Sequence, residues 1–159
     1  MQYQMRQKML SIGDDFWVED GDGEKVFKVN GKAMRVRKTF LLETPDGDEV
    51  LKIQERRMRL RGTMKIERDG DTLATVKKAV VDPVRSRFTI DVEGGDDLQA
   101  QGNIVDHEYE IERDGDTVAT ISKKWFRVRD SYGVDVAAGE DVPLILAITV
   151  AIDSLTTRR

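Results

Sequence analysis

The chain has no cysteine and a single histidine in 159 residues. Disulfides, iron–sulfur clusters, thiolate zinc sites and thiol catalysis are therefore excluded, as is any site needing two histidines. There is no surplus of positive charge. Lys plus Arg is 26 against 30 for Asp plus Glu, a net charge of -4, which argues against a nucleic-acid binder. No long hydrophobic run is present. Met1 to Leu10 holds no apolar core of signal-peptide length. The longest apolar stretch, Val142 to Ile152, would span ~17 Å as a helix, short of the ~30 Å bilayer core. No transmembrane segment is expected, and a cytoplasmic protein is the default. A phosphate-cradling Gly-rich Lys-Ser/Thr loop and a Gly-x-Gly-x-x-Gly before a helix are both missing.

What is present is a repeat. Ile66-Glu-Arg-Asp-Gly-Asp-Thr-Leu-Ala-Thr-Val76 matches Ile111-Glu-Arg-Asp-Gly-Asp-Thr-Val-Ala-Thr-Ile121 at an offset of 45 residues. A second echo relates Met34 to Phe40, Met58 to Met64 and Phe126 to Tyr132. Weaker copies close on Phe16, Phe88 and Tyr109. The closing residues Phe16, Phe40, Met64, Phe88, Tyr109 and Tyr132 are spaced by 24, 24, 24, 21 and 23 residues. A period of this size marks a repeated supersecondary unit.

The unit reads as a β-hairpin. After each closing residue comes an alternating run, then a turn, then another alternating run. The turns are Asp20-Gly21, Asp46-Gly47, Asp69-Gly70, Gly94-Gly95 and Asp114-Gly115. Asp-Gly between alternating hydrophobics is a strong hairpin signal, because a tight turn needs positive φ. Five hairpins plus flanking strands at Tyr3 to Met9 and Tyr132 to Ala137 predict twelve short antiparallel strands over about residues 3–137. A meander that long should close, since closure removes its exposed edges.

The last segment differs. Glu140-Asp141-Val142-Pro143 carries an acidic cap and a first-turn proline, predicting a helix over about 141–156. Leu144, Ile145, Leu146, Ala147, Ile148, Val150, Ala151, Ile152 and Leu155 surround its circumference. A helix apolar all round is buried. Its length, ~24 Å, matches a seven-residue strand, ~23 Å. The expectation is a mainly β fold. It is a closed twelve-stranded antiparallel meander barrel with the C-terminal helix threaded through its centre, in one domain spanning 1–159.

These features carry a resemblance. The Asp-Gly hairpins, the Arg-x-Arg links and the terminal residues Tyr132 to Val136, Gly139 to Asp141 and Ala151 to Asp153 resemble the LURP-one-related family. The resemblance implies a fold similar to the tubby C-terminal domain and to phospholipid scramblases. Tubby domains bind phosphoinositides, but this chain carries no tubby lipid-site motif. The cysteine-bearing, membrane-associated features of scramblases are missing, so scrambling is not expected.

In a meander, successive turns alternate between barrel ends. The Asp-Gly turns should share one end, collecting Asp20, Asp22, Glu43, Asp46, Asp48, Asp69, Asp71, Asp96, Asp97, Asp114 and Asp116. The links between hairpins should share the other. They place Arg35, Arg37, Lys38, Arg57, Arg59, Arg61, Arg127 and Arg129 there as candidate ligand-binding residues, with Arg85 and Arg87 nearby. In Met34-Arg35-Val36-Arg37, alternation turns both arginines outward. Glu140 and Asp141 at the helix start, and Arg158 and Arg159 past its end, complement the helix dipole.

Arginine forks suit phosphate, so an anionic lipid headgroup, another phosphorylated ligand or an acidic protein partner would fit. The plainer alternative is a solvated face whose arginines pair with Asp14, Asp15, Glu55, Asp106, Glu108 and Asp130. Asp20-Gly-Asp-Gly-Glu24 invites a calcium reading, but Asp-Gly recurs in every hairpin, as turn chemistry alone requires.

His107 has no Ser-His-Asp arrangement around it and reads as a link or strand-edge residue. Asp153, near the end of an apolar helix, reads as a capping or paired acid within reach of arginine or water. Trp17 and Trp125 read first as packing residues, with Trp125 the better surface candidate. The expectation is a non-enzymatic intracellular binding module with no cofactor and no metal, peripheral at the membrane if its ligand is a lipid. The alternative is a protein-interaction scaffold without a small ligand. A carboxylate-based hydrolase is disfavoured.

Overall fold

The computed structural model describes residues 1–6, 15–31, 38–56, 62–79, 86–125 and 131–156. The strands are β1 Gln2–Arg6, β2 Asp15–Asp20, β3 Lys25–Gly31, β4 Thr39–Glu43, β5 Glu49–Glu55 and β6 Thr63–Arg68. They continue as β7 Asp71–Ala79, β8 Ser86–Val92, β9 Leu98–Asn103, β10 Glu108–Arg113, β11 Asp116–Ser122 and β12 Ser131–Val136. Each pairs antiparallel with its neighbours in sequence, and β1 pairs with β12, from Gln2 opposite Asp135 to Arg6 opposite Ser131. The meander is thus a closed twelve-stranded barrel.

The sequence repeat reappears as backbone geometry. Four of the hairpins carry a β-bulge one step before the turn, at Val18/Glu19, Leu42/Glu43, Ile66/Glu67 and Ile111/Glu112. A bulge strengthens the local twist, which helps a sheet curl shut. The turns themselves are not all alike. Asp69-Gly70 and Asp114-Gly115 are two-residue turns with both φ angles positive, at 50° and 86°. The other three hairpins use longer loops, with positive φ only at Gly23, Gly47 and Gly94. Asp20 shows why: its Oδ1 accepts the amides of Asp22 and Glu24, both at 2.9 Å, and builds a wider loop.

Helix α1, Val142–Thr156, occupies the barrel's interior. Asp141 is its cap, with Oδ1 accepting the Leu144 amide at 3.2 Å. Ile145 to Ile152 are at most 2% exposed, so no side of the helix faces water. It packs against β5, β6 and β7 on one side and β12 on the other, and β6 and β12 lie opposite each other around the barrel. A helix touching opposite walls runs between them.

The closing residues of the repeat form an inner belt near one end. Phe40, Met64, Phe88, Tyr109 and Tyr132 are buried, and Phe16 packs partly buried against them. All six lie near the start of an even-numbered strand, so they share one level. The belt position is Phe or Met in the first four repeats and Tyr in the last two, a difference that the site below explains.

Candidate functional site at the link end of the barrel

The Asp-Gly turns meet at one barrel end, where α1 starts, and the links between hairpins meet at the other, where it finishes. The turn end is acidic: Asp22, Asp46, Asp48, Asp69, Asp71, Asp96, Asp97, Asp114 and Asp116 are all exposed there. At the link end, Lys38 is half-buried beside β4. Of the other candidate residues, Arg35, Arg37, Arg57, Arg59, Arg61, Arg127 and Arg129 lie outside the described residues, as do Arg85, Arg158 and Arg159. The strands flanking them, β3 and β4, β5 and β6, β11 and β12, all have their open ends on this side.

Ion pairing is uneven over the molecule. On the wall several cations meet carboxylates, and at the turn end Arg113 meets Glu140 while Lys25 and Arg68 make no ion pair among the described residues. Lys28 meets Asp15 at 3.2 Å, Lys65 meets Glu67 at 3.1 Å and Lys77 meets Asp91 at 2.6 Å. Lys25 and Lys28 also stand over the Trp17 ring, at 5.0 and 5.8 Å from its centroid. Trp17 thus belongs to the outer wall, not to the core, and Trp125 is likewise half-buried. At the link end, Lys38, Arg56, Lys78, Arg87, Lys123 and Lys124 make no ion pair among the described residues. Of the acids expected to neutralise this end, Asp14 and Asp130 lie outside the described residues, Glu55 is exposed, and the other three are engaged elsewhere. Asp15 holds Lys28, Asp106 Oδ2 takes the Asn103 amide group at 2.8 Å, and Glu108 Oε1 takes the Lys123 backbone amide at 3.1 Å.

Beneath this basic rim lies a buried polar cluster. Asp153, on the penultimate turn of α1, is 4% exposed. Its Oδ2 accepts the Tyr132 hydroxyl at 2.5 Å, and its Oδ1 lies 3.1 Å from His107 Nε2. The His107 ring stacks on Tyr132, with centroids 4.2 Å apart and planes 21° apart. The link from β9 to β10 brings His107 there. Asn103 Oδ1 accepts the Asp106 amide at 3.2 Å, Ile104 O accepts the His107 amide at 3.1 Å, and His107 takes a left-handed φ of 54°. Gly102 makes room below, since a Cβ there would stand 2.9 Å from Glu108 O and Tyr109 Cα.

Tyr109 completes the cluster. Burial, and then the nearby Asp153 carboxylate, push both Tyr109 and Tyr132 well above the ordinary tyrosine pKa, so both stay protonated. Thr149 stands beside the Tyr109 hydroxyl and donates its own proton to Ile145 O at 2.9 Å. Among the described residues, His107 Nδ1 is buried without a hydrogen-bond partner, and the Tyr109 hydroxyl has only Thr149 beside it.

Sequence reasoning placed His107 in a link and Asp153 as a paired acid, but did not bring them together. Two signals were available. Asp153 is the one ionisable residue in α1, and the belt position changes from Phe to Tyr at the two strands that face it.

At the opposite end, α1 is tied by a bidentate pair. Arg113 Nη1 and Nη2 donate to Glu140 at 3.0 and 2.8 Å. These bonds hold the Glu140 carboxyl below the usual carboxylate range, against the opposing effect of partial burial. A lowered folded-state pKa means the stabilisation is complete above the unfolded value and is lost as pH falls through the folded one. The pair is partly solvated, so Glu140→Gln should cost no more than about 1 kcal/mol at pH 7. Urea titrations should show that gap unchanged down to about pH 5 and closing below about pH 4.

A closed antiparallel meander barrel enclosing a hydrophobic helix defines a narrow class of β proteins. The LURP-one-related family model matches residues 1–153, and the chain belongs to that family. The chain is 30% identical over 149 residues to the uncharacterised protein YxjI of Bacillus subtilis strain 168, covering 94% of this chain and 90% of that one. In fold it is similar to the X-ray structure of an Arabidopsis thaliana protein. That comparison has a TM-score of 0.72 at 17% identity, over 98% of this chain and 92% of the other. No helix among the described residues is long and apolar enough to cross a membrane.

Proposed function

We propose that the chain is a non-enzymatic binding module that takes an anionic group, a phosphorylated lipid headgroup or another phosphorylated ligand, at its link end. The observation that carries this reading is where the unpaired cations gather. Among the described residues, Lys38, Arg56, Lys78, Arg87, Lys123 and Lys124 converge on the link end without an ion pair, against Lys25 and Arg68 at the turn end. Like charges gathered without counter-charges repel, and an arriving anion relieves that repulsion. Arg35, Arg37, Arg57, Arg59, Arg61, Arg127 and Arg129 add guanidinium forks to the segments joining the same strand ends. The non-catalytic reading takes the His107–Asp153 pair as structural, since both side chains are buried. A lipid ligand would place the protein peripherally, at the cytoplasmic face of a membrane.

The test is sedimentation with liposomes, with and without phosphoinositide, at ~0.15 M salt, where long-range attraction is screened beyond ~8 Å. Binding should require the anionic lipid and be displaced by its soluble headgroup. Arg59→Glu with Arg61→Glu should weaken it at least tenfold, about 1.4 kcal/mol, with an unchanged melting curve. Equal binding to neutral vesicles, or indifference to the double substitution, would overturn the reading. Absence of any lipid binding would leave an acidic protein as the partner to seek.

A further inference from the structure

The belt supplies an apolar alternative that this chain does not use. Phe16, Phe40, Met64 and Phe88 fill their positions without polar atoms, whereas Tyr109 and Tyr132 bring hydroxyls beside Asp153. The result leaves His107 Nδ1 buried without a partner among the described residues and the Tyr109 hydroxyl poorly satisfied, where an unmade bond costs ~1–3 kcal/mol. A fully apolar core would avoid that cost. The cluster therefore does something other than maximise stability.

Its connections show what. Asp153 belongs to α1, Tyr132 to β12 and His107 to the link from β9 to β10, and the carboxylate holds the last two at once. Val105, at the crest of that link, is 68% exposed, so the link reaches from solvent to the barrel's interior in two residues. Apart from Thr149 beside Tyr109, the buried side chains from Ile145 to Ile152 are apolar, and apolar contacts resist sliding and rotation less sharply than directed bonds do.

We propose that the His107–Asp153–Tyr132 cluster is a conformational clasp coupling the link end of the barrel to the seating of the last turns of α1. A link conformation that withdraws His107 loosens Thr149 to Thr156, and a helix that withdraws Asp153 frees the link. The coupling itself stands on the cluster alone. Its use in reporting an anion at the link end rests on the function proposed above.

The test is amide hydrogen exchange on the full chain with one variant on each side of the clasp. His107→Asn keeps a residue that tolerates left-handed φ but withdraws the ring. Asp153→Asn keeps the side-chain shape. His107→Asn should speed exchange at residues 149–156 at least tenfold while residues 145–148 and the strands β5 to β8 keep wild-type rates. Asp153→Asn should speed exchange at Ile104 and His107 by a similar factor. Effects confined to the substituted element would overturn the clasp, and so would a uniform increase over the whole barrel.

Added pyrophosphate should slow exchange at 149–156 in the wild type and leave His107→Asn unaffected. Binding of pyrophosphate with no change in the helix would overturn the reporting role. If pyrophosphate and anionic liposomes both fail to bind, the anion reading falls while the reciprocal exchange result still decides the clasp.

Discussion

Ile148→Asp should abolish the folded barrel. Ile148 sits midway along α1 with no exposed surface. The substitution loses the burial of a large aliphatic side chain, about 1.5–3 kcal/mol. It also places an unpaired carboxylate where no cation or water reaches it, a further ~3–5 kcal/mol. The sum rivals the ~5–15 kcal/mol that holds an ordinary domain together. Leu146→Ala, equally buried, is the graded version. It should cost about 2–5 kcal/mol, the range for a large side chain deleted from a core. At ~2–4 °C per kcal/mol for a chain of this size, its melting temperature should fall by roughly 4–20 °C. Circular dichroism melts read both. A native melt for Ile148→Asp would mean that α1 does not fill the barrel.

Asp153→Ala should be nearly as damaging for a different reason. It strips the partner from the Tyr132 hydroxyl and from His107 Nε2 while both stay buried. Breaking the hydrogen bonds of two buried groups costs about 1–3 kcal/mol each. Removing the whole network should not. Asp153→Leu combined with Tyr109→Phe, Tyr132→Phe and His107→Asn replaces most of the cluster by the Phe found elsewhere in the belt. That variant should recover most of the loss, because few polar atoms remain to be left unsatisfied. Urea midpoints at constant slope measure both. If the multiple variant is as unstable as Asp153→Ala, the cost lies in cavity volume and not in stranded polar groups.

The two results would bear on different aspects of the chain. Ile148 and Leu146 report the fold, which the apolar circumference of α1 made legible. Asp153 reports the site, most of which was not. An acid inside an apolar helix is visible as an anomaly, but its partners are 21 and 46 residues away in the chain. Arginine or water was the expected neighbour of Asp153, and tyrosine and histidine are the ones that the described residues bring to it. The tight-turn reading held for Asp69-Gly70 and Asp114-Gly115, where two residues join the strands. It did not hold for Asp20-Gly21, Asp46-Gly47 and Gly94-Gly95. There the loop length is set by side-chain bonds such as those of Asp20 Oδ1 and Asp97 Oδ1, which accepts the Val92 amide at 3.1 Å.

The sequence by itself determined the strands, their order and the helix. Period-two alternation, turn residues and an all-apolar segment are local properties, and a meander pairs each strand with its neighbour in the chain. Only closure of the barrel decided which residues meet across it. Pairing β1 with β12 fixes the circumference, encloses α1 and sets the level at which Asp153 stands. At that level Tyr109, Tyr132 and His107 converge from separate elements. A buried carboxylate takes the donors that the enclosing wall presents at its height, and that height is a property of the assembled barrel.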